Sequence, residues 1–257
     1  MKNYTAPAGS TVTLEANGER STVDLYSPEG FEMLTNLWIK AAVEHRGNYE
    51  PTWLGRSIIQ FPSDVVAMQE LLWRIRPDVV VETGVAHGGS LVLSASILEL
   101  IGKGRVIGVD IEIRPHNRAA IEAHPLKKRI ELVEGSSIAP ETVDLVRRMT
   151  GDAETVLVVF DSNHTHAHVL REMELYAPLV TPGSYMVVHD GAQEWVWEIP
   201  RGKREWKGNG PQEAIRDFLA AHREFQIDPH YTRFGITSSP DGYLRKAAAG
   251  DSKGPGA

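Results

Sequence analysis

Between Asp78 and Asp190 the chain alternates between short runs with apolar centres and longer amphipathic ones. The apolar runs cover residues 78–82 (Asp-Val-Val-Val-Glu), 105–110, 130–134, 155–161 (Thr-Val-Leu-Val-Val-Phe-Asp) and 184–190. The 78–82 run is continuously β-branched, the mark of a strand buried on both faces; 105–110 reads as a second buried strand, and the other runs read as further strands. Helical segments are expected between them at 90–101, 116–123, 140–149 and 165–180. Strand and helix in strict turn require βαβ units, and therefore a mainly parallel sheet with right-handed crossovers.

The flanks read differently. Upstream, residues 28–46 form an expected helix with Pro28 in its first turn and Phe31, Leu34, Trp38 and Ala42 at helical spacing. Residues 63–75 form another, with Ser63 as its N-cap and Pro77 as its stop. Downstream, residues 193–210 carry Trp195, Trp197 and Trp206 and read as a long loop, a candidate lid over an acceptor. A helix follows from Pro211 to Arg223, then short strands near 232–237 and 243–246 around the turn sequence Ser238-Ser239-Pro240-Asp241-Gly242. The expected fold is α/β: a mainly parallel, seven-stranded sheet with a terminal antiparallel hairpin, and helices on both faces. The expected organisation is a flexible arm over 1–20, a helical N-terminal extension over 21–76, a ligand-binding domain over 77–246 and a disordered tail over 247–257.

Composition narrows function mainly by exclusion. The 257 residues carry a net charge of -7 with no dense run of Lys and Arg, so no nucleic-acid partner is expected. The polar start, Met1 to Thr5, is no secretory leader, and no stretch is apolar enough to span a membrane. A cytoplasmic location is the default. With no cysteine, disulfides and thiolate metal sites are excluded, and any metal must bind through oxygen or imidazole.

The first strand runs into Glu82-Thr83-Gly84-Val85-Ala86-His87-Gly88-Gly89-Ser90. Ligands of open α/β sheets bind beyond the carboxyl ends of strands, where this turn falls. Glycines let the backbone touch a ligand, and the following helix offers free N–H groups. They also permit tight strand–helix packing without any ligand. Asp110, about 20 residues on, ends the second strand where a carboxylate can take ribose hydroxyls. The glycine pattern is G-x-x-x-G-G, and Glu82 sets a negative charge at the mouth. A pyrophosphate is repelled there, whereas a sulfonium and an α-amino group are attracted. S-adenosylmethionine thus fits better than NAD, with Glu82, Gly84, His87, Gly88, Ser90 and Asp110 around it. Ser136 and Ser137 can reach its adenine, or cap the helix at Pro140.

Asp161 ends the fourth strand, and His189 and Asp190 end the fifth, so all three are expected in one crevice. Two carboxylates and an imidazole suit a divalent cation such as Mg²⁺, which would ease loss of a hydroxyl proton. Asn163-His164-Thr165-His166-Ala167-His168 adds three imidazoles, with His164 or His166 as candidate base and solvent-facing roles as the alternative.

Trp53-Leu54-Gly55-Arg56-Ser57-Ile58-Ile59-Gln60, then Asp64 and Gln69-Glu70, then Glu82 through Ser90, resemble the cephalosporin hydroxylase / rhamnosyl O-methyltransferase family over roughly residues 28–245. That resemblance implies a Rossmann-like class I methyltransferase that binds S-adenosylmethionine, commonly with Mg²⁺, and methylates sugars of antibiotics or lipids. It implies cofactor contacts at Gly84, Ser90 and Asp110, with Gln60, Asp64 and Asp161 nearby, a metal at Asp161, His189 and Asp190, a small glycosylated acceptor and a homo-oligomer. One departure stands out: His189 occupies a position where catechol-type relatives carry an acid, which leaves room for a softer metal or for His189 as the base. The alternatives are an NAD-type oxidoreductase, an iron-dependent hydroxylase using His164, His166 and Asp161, and a non-catalytic binder.

Overall fold

A computed structural model describes residues 5–16 and 18–248. The first seventy-odd residues are not purely helical. They begin with an antiparallel hairpin of β1 (Thr11–Ala16) and β2 (Glu19–Asp24). The alternating Thr-Val-Thr-Leu run before Asn17-Gly18 carried that signal. The arm expected over 1–20 therefore holds a strand pair, with residues 1–4 and 17 outside the described set. Helix α1 (Pro28–Glu44) follows, capped by the Ser27 hydroxyl on Gly30 N–H at 3.0 Å. The short pair β3 (Thr52–Trp53) and β4 (Arg56–Ser57) leads into α2 (Pro62–Ile75). Its N-cap is Phe61, not Ser63, whose hydroxyl instead donates to the Ile236 carbonyl.

The central sheet then unfolds as sequence periodicity dictates. The elements are β5 (Val79–Thr83), α3 (Gly89–Ile101), β6 (Arg105–Asp110), α4 (Pro115–Glu122), β7 (Ile130–Glu134), α5 (Pro140–Thr150), β8 (Val156–Phe160), α6 (His166–Tyr176) and β9 (Tyr185–Val188). The tail end supplies α7 (Gln193–Val196), α8 (Pro211–Ala221), β10 (Phe225–Ile227) and β11 (Tyr243–Lys246). Strand order is β10-β11-β9-β8-β5-β6-β7, with β11 antiparallel to both neighbours and the rest parallel.

The β5 run shows why its valines are unbroken by polar residues. Val80 packs into the core under α2 and α3 with Leu71 and Leu91, while Val79 and Val81 pack into the core under α5, α6 and α8 with Val146, Met173 and Phe218. Each fully buried valine contributes about 1.5–3 kcal/mol.

The strand expected at 232–237 lies elsewhere. Phe225–Ile227 pairs with β11, while residues 229–232 form a 3₁₀ turn and Gly235 takes φ +77° against the Phe31 ring. That segment sends its polar groups to side chains rather than to a ladder. Thr237 Oγ1 and Ser238 N–H both donate to the buried Asp64 carboxylate, the latter at 2.8 Å. The tail expected from Ala247 lies, beyond Ala248, outside the described residues. Among the described residues no helix is long and apolar enough to cross a membrane.

Candidate active site

Chain direction in the sheet reverses its order between β5 and β8: the crossovers after β5 build outward through β6 and β7, and the chain then returns to β8. Ligand crevices form at such switch points. Here the crevice floor is a contact between two strand ends. Gly84, just past β5, has φ +93°, and a Cβ there would fall 2.0 Å from the Asp161 carbonyl oxygen just past β8. Only glycine lets the two turns close on one another. Asp161 N–H completes the join by donating to Thr83 O at 2.8 Å.

On one flank stands Asp110 at the end of β6. Its Oδ2 accepts from Val85 N–H at 2.8 Å and Ala86 N–H at 3.2 Å, and its Oδ1 accepts from Glu112 N–H. The carboxylate thus fixes the glycine turn while bordering a cavity of about 320 Å³ with Gly84, Ser136, Ser137 and Asp161. Glu82 lies below the turn, 1% exposed, and accepts from the Ser90 hydroxyl while its Oε2 has no partner. Burial pushes its carboxyl up to about 7, against the lowering effect of Ser90. It lines neither this cavity nor its neighbour, and when ionised its charge raises the Asp161 carboxyl pKa. His87, Gly88 and Ser90 line a second cavity of about 200 Å³, which also reaches Gln60, Gly84 and Asp161.

On the other flank, ligand atoms of Asp161, His164 and Asp190 all lie within 4.8 Å of one another. His164 Nε2 is 3.1 Å from Asp190 Oδ2. Asp190 is held in the left-handed region at φ +59°, strain of a kind that persists where the surroundings fix it. Desolvation raises the Asp161 carboxyl well above its ordinary value, and the charges of Asp190, Glu82, Glu172 and Asp64 push the same way. A cation placed there relieves that repulsion.

Several expected roles need correcting. His189 is 2% exposed, with Nδ1 2.7 Å from Ser239 Oγ and Nε2 3.4 Å from Gln60 Nε2. Both ring nitrogens are engaged, so His189 falls outside the group of Asp161, His164 and Asp190, whose side chains could hold a metal ion. Burial lowers the His189 pKa to about 4, which keeps it neutral. His166 turns to Asp217 on α8 at 2.8 Å and does not reach the crevice. That separation also breaks the proposed iron set of His164, His166 and Asp161. Asp64 is 1% exposed and accepts from Thr237 and Ser238, so it locks the 237–239 segment to α2 rather than facing a cofactor. His168 pairs with Ser137 Oγ at 3.2 Å and faces the 320 Å³ cavity.

Sequence reasoning missed the third cavity, about 220 Å³, lined by Tyr49, Phe61, Val196 and Trp206 and touching His164 and Asp190. Of the three tryptophans, only Trp206 lines it. Trp195 packs against the cluster of Ile39, Phe61, Ala192 and Val196, and Trp197 lies under the Lys207 ammonium at 4.5 Å.

A seven-stranded sheet with a single antiparallel strand, a glycine turn at its switch point and an acidic strand end beside it defines the class I methyltransferase fold. A profile of the rhamnosyl O-methyltransferase/CmcI family matches residues 45–247, and the chain belongs to that family. It is 32% identical over 200 residues to a rhamnosyl O-methyltransferase of Mycobacterium leprae, covering 75% of this chain and 82% of that protein. A Mycobacterium bovis rhamnosyl O-methyltransferase is 31% identical over 201 residues, covering 75% and 77%. Among solved structures, CmcI with Mg and SAM superposes with a TM-score of 0.56 at 23% identity over 78% of each chain. MycE from the mycinamycin pathway, with Mg and SAH, gives 0.51 at 18% identity over 96% of this chain and 71% of its own. The chain is accordingly an S-adenosylmethionine-dependent O-methyltransferase.

Proposed function

We propose that this enzyme methylates a hydroxyl of a rhamnose-like sugar on a glycosylated secondary metabolite, with a divalent cation held by Asp161, Asp190 and His164. The observation that carries the reading is where those three residues lie. Asp161 borders both cavities beside the glycine turn, and His164 and Asp190 border the aromatic third one. The methyl donor and its acceptor therefore meet over one cluster of ligand atoms. The donor set fits a cation: two carboxylates and an imidazole converge, and the Asp161 charge lacks any basic partner strong enough to hold its pKa down. When bound, such an ion stabilises the alkoxide form of a hydroxyl.

This chain's own residues do the rest. Ser136, Ser137 and Asp110 flank the cavity suited to adenine and ribose. Gln60 and Ser90 border the cavity suited to the methionine end. Tyr49, Phe61 and Trp206 offer aromatic surface to the C–H face of a sugar. The acceptor oxygen attacks the sulfonium methyl in line, the C–S bond breaks, and S-adenosylhomocysteine leaves. Holding the two partners in register supplies much of the rate. Asp190, with a side chain 40% exposed where the cavities join, takes the hydroxyl proton at a carboxylate oxygen and passes it to solvent.

The proposal extends to a homo-oligomer in the cytoplasm, built as a hairpin-and-helix extension before a methyltransferase domain over 77–246. On α1, Phe31, Leu34 and Trp38 remain 52%, 39% and 44% exposed along one face, which suits a second copy. Calorimetric titration with S-adenosylhomocysteine and NAD⁺ tests the donor site, and label transfer from S-adenosylmethionine to a panel of rhamnosides tests the acceptor. Heat with NAD⁺ alone, or label on no sugar, would sink the reading.

A further inference from the structure

The ligand cluster contains a nitrogen, and nitrogen donors discriminate among cations. Asp161 and His164 sit three residues apart on the turn after β8, and Asp190 follows β9. One ligand atom from each lies within 4.8 Å of the other two. A second feature borders the same space. Gln60, 4% exposed, borders the cavity shared with Asp161, His164 and Asp190, and its Oε1 has no hydrogen-bond partner. Its amide nitrogen faces His189, whose other ring nitrogen faces Ser239. That contact engages the His189 imidazole apart from the cluster and leaves the amide oxygen unpaired beside the shared cavity. The cluster thus offers two carboxylates, one imidazole and a neighbouring amide oxygen.

Mg²⁺ prefers oxygen ligands in near-ideal octahedral geometry and surrenders its waters reluctantly. Imidazole instead suits first-row transition ions, whose affinity for such sites rises along the series from Mn²⁺ toward Cu²⁺. Resting on the reading that this crevice holds a divalent cation, the geometry points to a first-row transition ion bound directly by His164 Nε2 together with Asp161 and Asp190, in place of Mg²⁺. The set is not the two-histidine, one-carboxylate arrangement of iron oxygenases, because the imidazoles of His166 and His189 are committed to Asp217 and to Ser239 with Gln60.

Pulsed electron paramagnetic resonance of the chelator-stripped full chain, reloaded with one equivalent of Mn²⁺, reads the ligand directly. The wild type should show nitrogen modulation from one bound imidazole, and His164→Asp should lose it. Calorimetric titration with Co²⁺ and Mg²⁺ reads preference. The wild type should favour Co²⁺, and His164→Asp should shrink the Co²⁺-to-Mg²⁺ affinity ratio by about tenfold or more. S-adenosylhomocysteine binding by the same samples reports an intact fold. A nitrogen-free Mn²⁺ signal in the wild type, or an unchanged ratio in the variant, overturns the role of His164 and leaves the methyltransferase reading standing. Wild-type protein that binds S-adenosylhomocysteine but none of the three ions overturns both this assignment and the metal part of the proposed reaction.

Discussion

The two flanks of the crevice are assembled at very different sequence ranges. On the β5–β6–β7 side, each group that meets the donor cavity stands at the end of the strand that presents it, and the Asp110 carboxylate reaches no farther than Val85, Ala86 and Glu112. On the β8–β9 side, orientation comes from far away. His189 is fixed by Gln60, 129 residues earlier, and Asp64 holds a segment 173 residues later. The first flank is local turn chemistry. The second is a tertiary arrangement, and it decides which imidazole faces the cluster.

If the flanks are separable, the largest effect should fall on one alone. Asp161→Ala should lower turnover about a thousandfold, the several kcal/mol expected when a cation site is dismantled. S-adenosylhomocysteine affinity should change little in the same variant. Turnover within tenfold of wild type would remove the cation from the chemistry. Gly84→Ala tests the opposite, because Gly84 is where the flanks touch. A methyl 2.0 Å from the Asp161 carbonyl, on a backbone at φ +93°, should cost about 3 kcal/mol or more in urea unfolding and abolish donor binding. A stable variant with normal binding would mean that the two turns part easily.

Glu82 sharpens the donor flank by pH. Its folded pKa of about 7 lies above the unfolded value near 4.5, so the folded state holds the proton longer. Stability of the ligand-free protein should therefore fall as pH rises from about 4.5 to about 7 and level off above that. At ~1.4 kcal/mol per unit the span amounts to about 3–4 kcal/mol. Glu82→Gln should flatten that slope. An identical slope in the variant would show that another group titrates.

These contrasts also explain what the sequence could reveal. The valine runs fix strands buried on both faces, and β6 and β7 start and stop where their residues say. Gly84 and Asp110 follow from the strand-end rule. By contrast, residues 232–237 alternate like a strand, yet Thr237 and Ser238 spend their hydrogen bonds on Asp64. No local pattern announces a buried carboxylate supplied from α2. The same holds for His189, whose position at a strand end is legible while its turn away from the cluster depends on Gln60 and Ser239. The spacing from Asp161 to His164 is the local hint that His164 stands with the two carboxylates, while the adjacent His189-Asp190 pair points elsewhere.

His166 gives the smallest and cleanest test, since it separates sequence proximity from spatial role. It lies two residues from His164 and opens α6, but its Nε2 meets Asp217 of α8 at 2.8 Å, with side chains 30% and 63% exposed. A pair that open to solvent contributes at most about 1 kcal/mol. His166→Ala should therefore shift stability by less than about 0.5–1 kcal/mol and leave turnover within about twofold, with the pH–rate profile unmoved. His164→Ala, by comparison, would strip a donor from the proposed cation site. A large turnover loss in His166→Ala without loss of stability would return that imidazole to the chemistry, and it would mean that α6 turns toward the crevice when the acceptor binds.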